Sequence, residues 1–269
     1  MPEILQYTFM QKALLVGLLV GILCPTIGTF LVLRRFSMVG DTLAHVALAG
    51  VLLGMLWGIS PLPLALFFSI LLAFFLEKLR TIFKNYAELS LAIIMSAGLG
   101  LAVILMSFTK TSDLSISSLL FGSIITLTNQ DILLIAFLSL LSLGLLFSFY
   151  REFFFLTFDE EGARLAGIHI KHYNYLLLFL TAMVITISLR IVGALLVSSL
   201  MVVPVATSLL LSCGFKKTLL GAVFFGILSV LIGLTTSFYL DLAPGGTIVL
   251  TSVIIFLFFL PLGRKKQQS

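Results

Sequence analysis

The chain has 269 residues, 60% of them hydrophobic and only 10% charged, with a formal net charge of +5. Soluble domains carry roughly 25% charged residues, so this composition excludes an ordinary globular domain and places the chain among polytopic helical membrane proteins. The basic residues sit in short clusters beside apolar runs, without the aromatic-interleaved stripe of a nucleic-acid groove, and Cys24 and Cys213 form no C-x-x-C pair, which argues against a disulfide scaffold or zinc knuckle.

Apolar runs at 9–33, 43–58, 62–79, 91–108, 131–149, 174–190, 193–212, 218–238 and 246–262 read as membrane spans. About nine spans are expected, with eight to ten allowed because a short run can be re-entrant. The expected fold is all-α, a single transmembrane helical bundle over residues 1–269 with no soluble domain and no linker. Residues 1–12 lack a basic n-region and a cleavage site, so the first run is read as a permanent span. The clusters Arg34/Arg35, Lys78/Arg80/Lys84, the 151–172 loop, Lys216/Lys217 and Arg264/Lys265/Lys266 all fall on one side of such a bundle. Lys and Arg gather on the cytoplasmic side, which puts the N-terminus outside and the C-terminus in the cytoplasm.

In the first span, Gly17 and Gly21 have the spacing of a helix contact face. The next segment, Leu33 to Gly50, places Asp41 and His45 four residues apart at the start of an apolar stretch. On a helix that spacing puts both side chains on one face. Ionisable groups within membrane spans are costly and mark ion or proton paths by default. A carboxylate oxygen with an imidazole nitrogen suits a divalent transition metal better than an alkali ion. Asp41 has a second reading as the N-cap of its helix, and His45 has one as a hydrogen-bonded packing residue.

The 109–130 loop, with Asp113 and Leu119 to Ser123, is expected at the outer face, with a short helix dipping into it. Between the fifth and sixth spans lies Thr157-Phe158-Asp159-Glu160-Glu161-Gly162-Ala163-Arg164-Leu165-Ala166-Gly167-Ile168. Acids at its start and Gly167 at its end suit a short independent helix, which in so apolar a protein needs a partner to dock on. A solvated loop is the alternative. His169 and His172 read as solvated or headgroup-facing, and Arg190 as reaching out to the interface. Gly193, Ser198, Ser199 and Pro204 read as close helix packing with a local kink. Asp241 to Thr247 reads as a tight Pro/Gly turn before the last span, or as lining an outer vestibule.

The run Asp-Glu-Glu-x-Ala-Arg-x-x-Gly-Ile at 159–168 resembles the coupling-helix motif of ABC importer permeases. Three further stretches, in the same order, resemble the metal-ion ABC permeases that import zinc, manganese or iron. They are Arg-Arg-x-Ser-x-x-Gly-Asp-x-x-x-His at 34–45, Val192 to Pro204, and Asp241 to Thr247. The resemblance covers essentially the whole chain. It implies a homodimeric permease, or half of a similar pair, in a prokaryotic plasma membrane. ATP-binding subunits would sit on the cytoplasmic side, and an extracytoplasmic metal-binding protein would deliver the ion. Asp41 and His45 would line the dimer pathway and contact the metal, while Asp159, Glu160, Glu161, Ala163, Arg164 and Gly167 would lie at the ATPase interface. No permanently bound cofactor is implied; Zn2+, or Mn2+ or Fe2+, is cargo. The segment Gly40 to Gly50 looks more like the zinc-type permeases, because Ala49 stands where manganese-type relatives more often have proline.

The chain lacks G-x-x-x-x-G-K-[ST], so ATP hydrolysis is expected in a separate subunit, and it lacks the H-E-x-x-H of a zinc protease. The rival reading is an ion-coupled secondary transporter with no ATPase. It leaves the 159–168 motif unexplained, and no inverted repeat is visible to support it.

Overall fold

The computed structural model describes residues 6–83, 86–108, 120–122, 128–211 and 214–267. Lys84, Cys213 and most of the 109–130 loop, Asp113 included, lie outside the described residues. The helices are α1 (Thr8–Leu33), α2 (Met38–Trp57), α3 (Pro61–Ile82), α4 (Ala87–Phe108), α5 (Asn129–Ser148), α6 (Tyr150–Phe158), α7 (Glu160–Leu165), α8 (Ile170–Ser188), α9 (Val197–Leu211), α10 (Phe215–Leu240) and α11 (Pro244–Gln267). No strand occurs among the described residues. Eight of these helices, α1 to α5, α8, α10 and α11, are long and apolar enough to cross a membrane.

The seventh expected span, 193–212, is not a full-length helix. Only α9, 15 residues, is helical there, about 22 Å at 1.5 Å per residue and short of a hydrocarbon core of about 30 Å. The reason lies at Gly193, whose φ of 85° turns the chain before the helix begins. A side chain there would meet the Leu120 carbonyl oxygen and, at 2.5 Å, the Gly122 nitrogen. The Leu195 N–H donates to the Leu120 carbonyl at 3.3 Å, so the turn at 189–196 is anchored on residues 120–122. Gly245, at the start of α11, packs on the neighbouring carbonyls of Phe121 and Val192. At the opposite end of α9, Phe215 meets the rings of Phe30, Tyr150, Phe154 and Phe158. The turn and α9 together therefore carry the chain from one end of the bundle to the other.

Helices α1, α2 and α8 are the most enclosed, while α4, α5 and α11 lie at the periphery. Peripheral side chains such as Phe67, Val103, Ile104, Leu133 and Leu140 are exposed, as lipid-facing positions must be. Helices in lipid gain little from burying apolar area against one another, so close backbone packing has to supply the attraction. The Gly17/Gly21 face supplies it against α10. A Cβ on Gly17 would lie 2.9 Å from Val230 and Leu234, and one on Gly21 would lie 3.3 Å from the Gly226 carbonyl. Gly50 brings α2 onto the backbone of α3 at Ala65, and Gly28 brings α1 onto the Met201 carbonyl of α9.

Arg190 is paired within the bundle. Its guanidinium donates to Asp131 Oδ1 at 3.2 Å, with both side chains largely enclosed. Asp131 also completes a capping box with Thr128 at the start of α5, so one carboxylate ties that helix start to the end of α8.

Gly28 provides a direct test of the α1–α9 contact. Gly28→Ala is expected to lower the thermal denaturation midpoint in detergent, with a loss of roughly 1–3 kcal/mol from overpacking. Gly100→Ala, with nothing within 4 Å of the added carbon, should leave the midpoint unchanged or raise it slightly. Equal shifts in both would mean that α1 and α9 do not meet this closely.

Candidate metal site and the loop helix

α2 begins after a short turn, 34–37, and Asp41 falls in its first turn. The N-cap position is Ser37, whose side chain makes no capping bond, so Asp41 stands inside the helix and does not cap it. Its carboxylate instead reaches across to α9, where Ser198 Oγ donates to Asp41 Oδ1 at 3.1 Å. Gly40 leaves room for this approach, since a Cβ there would lie 3.3 Å from Met201 Sδ and 3.7 Å from Ser198 Cβ. The neighbouring Thr42 hydroxyl is engaged within its own helix, donating to the Met38 carbonyl at 3.0 Å.

His45 lies one helical turn further on and is 8% exposed. Its Nδ1 is buried and has no hydrogen-bond partner within the protein. An unpaired buried polar atom costs about 1–3 kcal/mol, so the hydrogen-bonded packing reading of His45 lacks its hydrogen bond at this nitrogen. Asp41 and His45 thus bring a carboxylate and an imidazole to adjacent turns of one enclosed helix. Among the described residues no group of three or more His, Cys, Asp and Glu side chains comes together. One chain therefore brings two candidate ligands here and not a closed coordination shell.

The 159–168 segment forms the expected short helix. Asp159 caps α7, its Oδ1 accepting the Gly162 N–H at 2.8 Å. The other end closes as a Schellman motif: Ile168 N–H donates to the Ala163 carbonyl at 3.0 Å and Gly167 N–H to the Arg164 carbonyl at 3.1 Å. Gly167 takes a φ of 83°, the left-handed conformation this cap demands. Ala163 is fully buried and turns inward, whereas Glu161 and Arg164 are exposed. Leu165 is 90% exposed, an apolar residue that the charged motif around it concealed.

Glu160 behaves differently from its neighbours. Its Oε2 lies 3.6 Å from Arg34 Nη2, and the Arg34 side chain is only 4% exposed. Burial lowers the Arg34 pKa and the Glu160 charge opposes that shift; a guanidinium remains protonated throughout. Beside this pair, Arg80 Nη1 donates to Glu77 Oε2 at 2.9 Å, and Asn174 Nδ2 donates to Glu77 Oε1 at 3.0 Å. The Phe36 ring is flanked by both guanidiniums, at 5.1 Å from Arg34 and 3.8 Å from Arg80. A cleft of about 690 Å³ opens here, lined among others by Glu77, Arg80, Glu160, Arg164 and Lys171. His169 and His172 line it too, exposed as expected, their rings edge to face at 5.6 Å. The sequence carried no local signal for Ser198 as the partner of Asp41, or for Arg34, Glu77 and Asn174 as one network. Those pairs are set by helix packing across long stretches of chain.

Comparison with known proteins follows the same outline. Over 258 residues the chain is 41% identical to a Treponema pallidum protein named "Probable metal transport system membrane protein", covering 96% of this chain and 97% of that one. It is 32% identical over 253 residues to the manganese transport system membrane protein MntC of Listeria monocytogenes, covering 94% and 90%. Other relatives are named for iron or zinc transport. The fold is similar to that of PsaBC from Streptococcus pneumoniae, solved in complex with Fab, with a TM-score of 0.85 and 28% identity over 95% of this chain and 92% of that chain. The description of the ABC 3 transport family matches residues 6–262; with these helices and this breadth of similarity, the chain is a multi-pass membrane protein and belongs to the ABC 3 transport family.

Proposed function

We propose that the chain is the permease subunit of an ATP-driven importer that moves a divalent transition metal into the cytoplasm. The observation that carries this reading is the pair on α2: Asp41, steadied by Ser198, and His45, enclosed with Nδ1 unpaired. In a homodimer, two such pairs would offer four ligands about the two-fold axis, the number zinc prefers. A cargo site must also release its ion, and a shell made only when two protomers meet can be opened by moving them apart. An extracytoplasmic metal-binding protein would deliver the ion, and separate ATP-binding subunits would hydrolyse the nucleotide.

The basic residues support the orientation. Arg34, Arg80 and Arg164 gather at one end with the loop helix. The positive-inside rule makes this the cytoplasmic face of a prokaryotic plasma membrane, with the N-terminus outside and the C-terminus within. α7 would then present Leu165, Glu161 and Arg164 to the ATP-binding subunit, an apolar knob between charges. Zinc is the cargo favoured by the Gly40-to-Gly50 segment. Manganese or iron is the second reading, favoured by relatives named for those metals.

Cellular uptake of zinc, manganese and iron under metal limitation tests both levels. Asp41→Asn and His45→Ala should each reduce accumulation of one metal about tenfold or more with normal membrane levels of the complex, since each removes one of two strong ligands. The metal lost identifies the cargo. Unchanged uptake of all three in His45→Ala would return His45 to a packing role. Uptake that persists without the ATP-binding subunit would favour a secondary transporter.

Association is tested separately. Leu165→Asp should weaken recovery of the ATP-binding subunit with the purified permease, because an apolar side chain of this size is worth roughly 1.5–3 kcal/mol when buried. Glu161→Lys, which reverses an exposed charge, should weaken it less. Full recovery of the complex in Leu165→Asp would remove α7 from the interface.

A further inference from the structure

Glu160 belongs to the loop-helix motif, yet its half-exposed carboxylate lies 3.6 Å from the enclosed guanidinium of Arg34. We propose that Glu160 is a latch inside the permease, a positioning residue that ties α7 through Arg34 to the turn from which α2 and Asp41 emerge. The proposal rests on the permease reading for its consequence and on the geometry for its existence.

The receiving end is tightly built. Arg34 closes α1, its N–H donating to the Phe30 carbonyl at 3.1 Å. Arg35 holds a φ of 59°, a left-handed conformation unusual for a residue with a side chain. The Phe36 N–H returns to the Leu31 carbonyl at 2.7 Å, and the Val39 N–H, already in α2, donates to the Phe36 carbonyl at 3.0 Å. The Phe36 ring itself lies against both the Arg34 and Arg80 guanidiniums. Little slack remains between the Arg34 side chain and the first turn of α2, where Asp41 meets Ser198.

The anchoring side is equally firm. Glu77 is 3% exposed and holds both Arg80 of its own helix and Asn174 of α8. Against this fixed frame, Glu160 is the half-exposed partner, on a six-residue helix outside the spans. A load applied to α7 has a charged contact on the α1–α2 turn through which to act. Removing the Glu160 charge leaves an enclosed guanidinium with one partner fewer, and Arg34 Nη1 already has none.

Two readouts test the latch. In the purified full-length permease, hydrogen exchange at the backbone amides of 35–40 should rise on the order of tenfold in Glu160→Gln, the population shift expected when a charge-assisted contact is lost. Arg34→Gln should do the same, and the double variant should add little further. Glu160 is half-exposed, so its variant is expected to fold even if Arg34→Gln does not, and it decides the matter alone. In the reconstituted complex, metal moved per ATP hydrolysed should fall in Glu160→Gln while the ATP-binding subunit stays bound. Glu88→Gln, an exposed acid on α4, should change neither readout. Unaltered exchange at 35–40 in Glu160→Gln overturns the latch. So does a loss of ATP-binding subunit as large as that of Leu165→Asp, which would put Glu160 at the subunit interface. Raised exchange in a permease whose wild-type complex moves no zinc, manganese or iron would overturn the transport reading and leave the latch standing.

Discussion

The bundle depends on one constraint: in lipid, helices hold together where their backbones come close. Apolar side chains are as well solvated by acyl tails as by one another, so area burial alone selects no arrangement. α1 shows how contact geometry does select one. Pro25 cannot donate a hydrogen bond back to the Gly21 carbonyl, and Gly226 of α10 packs directly over that oxygen. One turn along, Gly28 rests on the backbone of α9 at Met201. That second contact sets where α9 lies, and with it Ser198, three residues earlier on the face that meets Asp41. The chemistry on α2 is therefore held in place by an absence of side chains on α1.

Many interior hydroxyls are satisfied within their own helices. Thr26, Thr29, Thr181, Thr186 and Ser229 each return their hydroxyl to the carbonyl four residues back. Such bonds satisfy the side chain within its own helix and specify nothing about neighbours. Bonds that cross between elements are more informative, because each fixes a rotation and a height. Cys24 with Ser188 ties α1 to α8, Asn174 with Glu77 ties α8 to α3, and Ser198 with Asp41 ties α9 to α2. Among the described residues, charged pairs stand at two places, Arg190 with Asp131 at the turn beside 120–122 and the Arg34–Glu160 cluster beside α7. The Asp41 carboxylate and the His45 imidazole belong to neither charged pair, which leaves them as the candidate cation ligands.

Much of this was legible in the sequence, and physics explains which parts. Membrane spans announce themselves because an unsatisfied backbone in hydrocarbon forces long apolar helices, and eight appear where expected. The loop helix was legible because its stop signals are local: an acid at the cap and a glycine whose left-handed backbone closes the last turn. The seventh apolar run does cross the bundle, but its break was hidden, since Val192 to Leu211 carries no charge and reads as one apolar run. Apolarity cannot register that Gly193 is needed for a turn against residues 120–122, a contact made from distant sequence. The partner of Arg190 was hidden for the same reason. Reaching for the interface is the default of a lone arginine, and its partner Asp131 lies fifty-nine positions away. Among the candidate metal ligands, the four-residue spacing of Asp41 and His45 was sufficient to put them on one face. Ser198 was visible only as a small residue that favours packing, and its hydroxyl acquires meaning from what α9 faces.

The ligand chemistry also bears on how such a permease would choose its ion. A carboxylate and an imidazole bind manganese, iron and zinc with rising affinity along the series, so donor identity alone would always favour zinc over manganese. A manganese importer built on the same two residues would have to oppose that order by geometry, holding the ligands too far apart for a tetrahedral shell or keeping room for water in a larger one. Two features of this chain set that geometry. Ser198 fixes one carboxylate oxygen, and the Gly40 face lets α9 approach closely enough for it to do so. In the proposed dimer, the span of the site would be governed by the α2–α9 contact within each protomer and by the distance between protomers across the axis. The first is stiff, because it is made of backbone and short side chains. The second is the variable that nucleotide-driven motion would change, so capture and release can be separated without altering a single ligand.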